Sequence, residues 1–157
     1  IPAEEQGTGM LFNMDGEVVG MISSSVWNDT GKNVVNAYGI SDLKPIIELL
    51  INGKSVPYIG IYGTTVTEQL AEEHKMPSGI YVADVDPDSP AMAAGIQIGD
   101  IICEASGEEI KDIAAYQNIV IGSSVGETME FVGKRLGSDG YVNIKFSVVT
   151  TEKEEVK

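Results

Sequence analysis

Eighteen glycines and six prolines cut this chain of 157 residues into short runs, so it can fold into turns and strands far more readily than into long helices. Near the C-terminal end, Val142, Ile144, Phe146 and Val148 alternate with Asn143, Lys145 and Ser147, the two-residue period of a strand with one buried face. Met129 and Phe131 alternate with Glu130 and Val132, and Gly137-Ser138-Asp139-Gly140 supplies a hairpin turn between the two runs. The period changes once, clearly, at Leu43, Ile46, Ile47, Leu50 and Ile51, which fall on one helical face. That spacing predicts a helix over 42–52, capped by Ser41 or Asp42 and stopped by Gly53. The expected class is mixed α+β, mostly β. With 43% hydrophobic residues the chain can bury a core.

Two parts are legible. In residues 1–53, Met10-Leu11-Phe12-Asn13, Asp15-Gly16 and the run from Glu17 to Ile22 read as a hairpin, residues 28–32 as a loop, and Asn33 to Ile40 as a third strand before the helix. Three strands and a helix leave open edges and do not close a barrel, which marks this part as the remainder of a larger domain. The first residues, Ile1-Pro2-Ala3-Glu4-Glu5, read as a cut edge within a longer parent.

Residues 55–150 read as a second, complete unit. An apolar run from Tyr58 to Thr64 is followed by a short helix capped by Thr67 and ending near Lys75. Gly79 to Val85 reads as a strand. Ser89 caps a brief helix whose first residue is Pro90 and which stops at Gly95. Ile101 to Glu104 reads as a strand, Asp112 to Ile121 as a helix, and the hairpin described above completes the unit. A charged tail, 151–157, is expected to fray.

The net charge of −14 argues against nucleic acid, which requires clustered Lys and Arg, and against anionic membranes. One cysteine, Cys103, excludes an internal disulfide and reads as a small buried apolar residue in a core strand. The single histidine, His74, sits near a helix end, where it favours the C-terminus of the dipole. Asn28-Asp29-Thr30 has the form of a glycosylation acceptor. No cofactor or metal is called for.

One stretch narrows the reading further. Asp88-Ser89-Pro90-Ala91, then Ala94-Gly95-Ile96-Gln97-Ile98-Gly99-Asp100-Ile101-Ile102 and Gly107, resembles the PDZ domains of HtrA/Deg-type (trypsin-like) serine proteases. Tyr58-Ile59-Gly60-Ile61 resembles that family's carboxylate-binding loop. Met10 to Gly20 resembles the strands after the catalytic serine, and Tyr38-Gly39-Ile40-Ser41 the closing strand of the protease domain. The resemblance implies a PDZ-like, partly open β-barrel with two or three helices, preceded by an incomplete trypsin-like barrel fragment.

It also implies a peptide-binding module that takes protein C-termini or unfolded segments by strand addition. The N–H groups of Ile59, Gly60 and Ile61 would meet the carboxylate. Tyr58, Ile59 and Ile61 would line one side of the groove, and Ile113, Tyr116 and Val120 the other. The alternative for Ile59, Ile61 and Val120 is a place in the plain core. The family's basic residue before the loop falls on Val56, next to Pro57, and Lys54 is the candidate replacement.

The family's nucleophile position falls on Gly7, so the fragment itself is expected to be inactive and the parent to be a pseudoprotease. The alternatives are part of an active endopeptidase, with Thr8 or residues outside this sequence supplying the chemistry, and an assembly module, a homo-oligomer pairing through strands 10–40. The family works outside the cytoplasm, which makes the expected location periplasmic, secreted or membrane-anchored.

Overall fold

A computed structural model describes residues 8–22 and 37–153. Gly7, the 28–32 loop with its acceptor Asn28, and the first half of the expected third strand lie outside the described residues. The chain divides into two compact units, Ile1–Asn52 and Gly53–Lys157.

The first unit is a three-stranded antiparallel sheet in the order β1 (Gly9–Phe12), β2 (Val18–Ile22), β3 (Tyr38–Gly39). The expected hairpin forms because Asn13 organises its turn. The Asn13 Oδ1 accepts from the N–H groups of Asp15 (3.0 Å) and Glu17 (2.9 Å), while its Nδ2 donates to Glu17 Oε2 at 2.7 Å. Helix α1 spans Ile40–Ile51. It starts two residues earlier than the spacing predicts. Its N-cap is Gly39, with no side-chain cap, so neither Ser41 nor Asp42 has the expected capping role. Both are already inside the first turn. Met10, Phe12, Val19 and Met21 stay exposed on this sheet.

The second unit is built on a six-stranded antiparallel sheet. Its path runs β10 (Gly140–Val149), β9 (Thr128–Gly137), β7 (Ile101–Ala105), β6 (Gly79–Val85), β5 (Ile61–Val66), with β8 (Glu108–Glu109) paired to β7. The sheet does not close, so β5 and β10 are its two edges. Three helices accompany it: α2 (Glu68–His74), α3 (Pro90–Ala93) and α4 (Ile113–Gly122). Each begins where a short polar side chain caps it. Thr67 Oγ1 accepts from Leu70 N–H, Ser89 Oγ from Met92 N–H, and Asp112 Oδ1 from Ala115 N–H.

The alternating runs bury Met129, Phe131, Phe146 and Val148 against Ile80, Val82, Ile102, Ala105 and Ile110. Cys103 is half-buried rather than buried, and that burial pushes its thiol up from the ordinary value. Residues 151–153 of the expected tail differ from expectation, and 154–157 lie outside the described residues. Thr150 is buried, its hydroxyl donating to Ser124 O at 2.6 Å, and Thr151–Glu152 continue as β11, paired with β4 (Pro57–Tyr58). The buried threonine holds the chain against the unit, so pairing extends past Val149 instead of fraying.

Candidate functional site

Asp100 explains the Gly-Asp stretch in physical terms. Its carboxylate is 1% exposed and accepts from Arg135 Nε at 2.6 Å, Arg135 Nη2 at 2.8 Å and the Gln97 N–H at 2.9 Å. Arg135 Nη2 also donates to Gly95 O at 2.9 Å. A bidentate pair of this kind fixes orientation as well as charge. It ties the 95–100 turn to β9 and so sets where β6, β7 and the segment after α3 lie.

The loop between β4 and β5 rests on that frame. Gly60 has φ +86, a conformation that disfavours any side chain. A Cβ there would also collide with the Ser89 Cβ, approach Ser89 Oγ to 2.6 Å and the Tyr58 hydroxyl to 2.9 Å. The loop carbonyls are already used: Ala91 N–H donates to Ile59 O and Asp86 N–H to Gly60 O, both at 2.9 Å. The N–H groups of Ile59 and Gly60 donate to none of the turn and loop acceptors of the described residues. The loop therefore turns its acceptors into the fold and keeps donors in reserve.

Beside this loop, β5 presents an unpaired edge among the described residues, and α4 packs against β4 and β5. The Thr65 Oγ1 accepts from the Ile113 N–H at 3.1 Å, fixing the start of α4 to the far end of β5. An edge strand, an adjacent helix and a turn with free N–H groups thus converge. Of the residues singled out in the sequence, Ile59, Ile61, Tyr116 and Val120 are all buried in the core cluster, and Ile113 is half-buried against it. Tyr58 is half-buried. The structure places Ile59, Ile61, Tyr116, Val120 and Ile113 in or against one core cluster, with Tyr58 outside it.

Sequence reasoning missed a polar cluster at the same loop. The Tyr58 hydroxyl and, at 2.8 Å, the Tyr62 hydroxyl both donate to Asp86 Oδ2. Lys153 Nζ lies 3.5 Å from Asp86 Oδ2 and donates to the Tyr62 hydroxyl at 2.9 Å. It also stands over the rings of Tyr58 (5.2 Å) and Tyr62 (5.6 Å). The Tyr58 hydrogen bond, then that of Tyr62, hold the Asp86 carboxyl below the ordinary carboxylate value. Burial, then Asp86, push the Tyr58 phenol up. The Tyr116 phenol is also raised, by burial first and then by the phenols of Tyr58 and Tyr62.

A cleft of about 1010 Å³ lies alongside, lined by Tyr58, Asp86, α3, β10 and Lys153. It does not include α4, so it is a neighbour of the β5–α4 groove and not the groove itself. Lys54, the cation expected near the loop, is exposed and takes no part in the cluster.

Residues 81–135 match the family model described as PDZ domain, which runs from within β6 through most of β9 and includes α4; the loop, β5 and α2 precede the matched residues. The chain is 31% identical over 142 residues to a probable periplasmic serine endoprotease, DegP-like, of Halomonas elongata, covering 87% of this chain and 30% of the relative. It is 30% identical over 160 residues to the serine protease Do-like HtrA of Bacillus subtilis, covering 94% of this chain and 34% of the relative. The chain thus spans about a third of the length of these curated relatives.

Among solved structures, the HtrA3 PDZ domain bound to a phage-derived ligand (FGRWV) is 33% identical, with a TM-score of 0.51, covering 60% of this chain and 84% of that one. The HtrA-type protease AlgW with a decapeptide has a TM-score of 0.58 at 20% identity, a likeness of fold, over 90% of this chain and 44% of that one. The second unit is therefore a PDZ domain, and the chain that carries it matches the HtrA/DegP-type serine proteases in both sequence and structure.

Proposed function

We propose that the second unit binds C-terminal or unfolded segments of other proteins, and that it recruits them for, or regulates, an HtrA-like serine endopeptidase outside the cytoplasm. In this reading a ligand strand pairs with the open edge of β5, and its terminal carboxylate meets the N–H groups of Ile59, Gly60 and Ile61. The observation that carries it is the loop itself. The carbonyls of Ile59 and Gly60 are engaged inside the fold, while their N–H groups are left over beside an edge strand and a helix. The ligand's last side chain would enter between Ile59, Ile61, Tyr116 and Val120. Those side chains are packed together, so entry requires them to part.

Calorimetric titration with a pentapeptide ending in an apolar residue, beside its C-terminal amide, tests this. Each hydrogen bond to a charged group is worth about 1.5–3 kcal/mol, so the free acid should bind at about micromolar strength and the amide at least tenfold more weakly. Acid and amide of equal affinity contradict the loop's role.

For the first unit we take Met10, Phe12, Val19 and Met21, exposed on an open sheet, as the surface that further strands of a trypsin-like barrel cover. Pairing of the same strands between two copies is the competing reading, and light scattering separates them, since only the second predicts a dimer of this chain. Gly7 at the nucleophile position favours a parent that works by binding. Labelling of the full-length parent by a serine-directed phosphonate would contradict that.

A further inference from the structure

Asp86 poses a problem for any anionic ligand of the loop. Its N–H donates to Gly60 O at 2.9 Å, so its backbone is bonded to the loop. Its side chain accepts the hydroxyls of Tyr58 and Tyr62, the residues that flank Ile59-Gly60-Ile61. A full negative charge is therefore fixed beside the donors that would receive a carboxylate. Asp88 and Glu152 line the adjoining cleft and add to that field, in a chain of net charge −14.

Lys153 is the one cation among the described residues lining that cleft. Its position is determined by the fold. Glu152 pairs with Pro57 in the β11–β4 ladder, which delivers the next residue across Tyr58. There the ammonium is held by Asp86, by the Tyr62 hydroxyl and by the faces of two aromatic rings.

We infer that Lys153 makes the loop tolerant of a carboxylate by neutralising Asp86. The inference rests on the reading of the loop as a carboxylate site. Lys153 acts through Asp86, as a positioning and screening residue, and need not touch the ligand. The competing role is a direct ion pair between Lys153 and the ligand's terminus. The two differ in what happens when Asp86 is neutral. If Lys153 is held at the loop by Asp86, Asp86→Asn removes both the charge to be offset and the anchor of the ammonium, and Lys153 becomes dispensable in that background. If it pairs with the ligand, it matters as much or more there.

The test is a double-mutant cycle on the full chain. Wild type, Lys153→Met, Asp86→Asn and the double variant are titrated with a valine-terminated pentapeptide as free acid and as amide. Two like charges within about 8 Å in a partly wet site change an equilibrium by about threefold to tenfold. Lys153→Met should weaken the acid by that factor and the amide by less than about twofold, and Lys153→Arg should restore the acid. In the Asp86→Asn background the same change should fall below about twofold. Thermal melts confirm that each variant keeps the fold.

A wild type that binds neither form, or both alike, overturns the reading of the loop and this inference with it. A wild type that prefers the acid, with Lys153→Met retaining the full preference, overturns the inference alone. So does an equal loss for Lys153→Met in both Asp86 backgrounds.

Discussion

Replacing Arg135 by methionine keeps much of the side-chain volume but leaves the Asp100 carboxyl, 1% exposed, with the Gln97 N–H as its remaining donor. Breaking a buried ion pair from one side costs about 3–5 kcal/mol, because the surviving charge stays in the protein without its partner. Arg135 is 32% exposed on its side chain, so water can partly replace the guanidinium and the lower end applies, about 3 kcal/mol. The lost contacts with Gly95 O and the Phe146 ring are included in that figure. At about 4–8 °C per kcal/mol for a domain of this size, Tm should fall by about 12–24 °C. Urea unfolding of the full chain, followed by amide NMR signals of β7 and β9, isolates this unit from the first. Because the penalty belongs to the stranded charge, Asp100→Asn combined with Arg135→Met should cost less than Arg135→Met alone. An Arg135→Met loss below about 0.5 kcal/mol, or a double variant as costly as the two singles summed, refutes the reasoning.

Gly60→Ala should cost about 2 kcal/mol, from its left-handed backbone and from collision with Ser89, and Ser89→Gly should recover part of it; full recovery, or no loss at all, would show that the backbone conformation is not the constraint. Thr150→Val removes a buried hydroxyl that donates to Ser124 O and accepts from the Glu127 N–H at 3.1 Å, leaving those groups without it; a loss of about 1–3 kcal/mol by urea titration is expected, together with faster amide exchange in β11. The carboxyl of Asp86 is depressed in the folded state, so its contribution is present above the ordinary carboxylate value near 4 and is lost as pH falls through the lower folded value. The phenols of Tyr58 and Tyr116 are raised, so their contribution is present below about pH 10 and is lost as pH rises beyond it. Spectrophotometric titration at about 295 nm should lose late-ionising amplitude in Tyr58→Phe and in Tyr116→Phe; unchanged curves would contradict the raised values.

The elements with strict periodicity or unambiguous punctuation were legible in the chain. The alternation at 142–148 and 129–132 is β10 and β9, the Ser89-Pro90 pair opens α3, and Asp112 caps α4. Capping of α1 was not legible, because Ser41 and Asp42 both look like caps, whereas the backbone turns at Gly39. The candidate loop came from the resemblance of Tyr58-Ile59-Gly60-Ile61 to the family's carboxylate-binding loop, and the positive φ of Gly60 and its closeness to Ser89 give the physical reason for a glycine there. Lys153 could not be read that way. It is 91 residues from Tyr62, in a charged tail with no periodicity, and only the pairing of β11 with β4 brings the two together. The one local hint was Thr150, a polar residue ending an alternating apolar strand, which turned out to be buried. Asp86 carried no local signal of its role, because its bonds to two tyrosines across the loop depend on the tertiary fold.

The account stands or falls on where a peptide docks. The direct measurement is a titration of the isotope-labelled chain with a free-acid pentapeptide ending in valine, followed by backbone amide shifts. Binding by strand addition predicts saturable shifts at Ile59, Gly60 and Ile61, along β5 from Tyr62 to Val66, and on α4 between Ile113 and Val120. Saturable shifts confined to the opposite edge, β10 and α3, would contradict it, as would a spectrum unchanged by peptide.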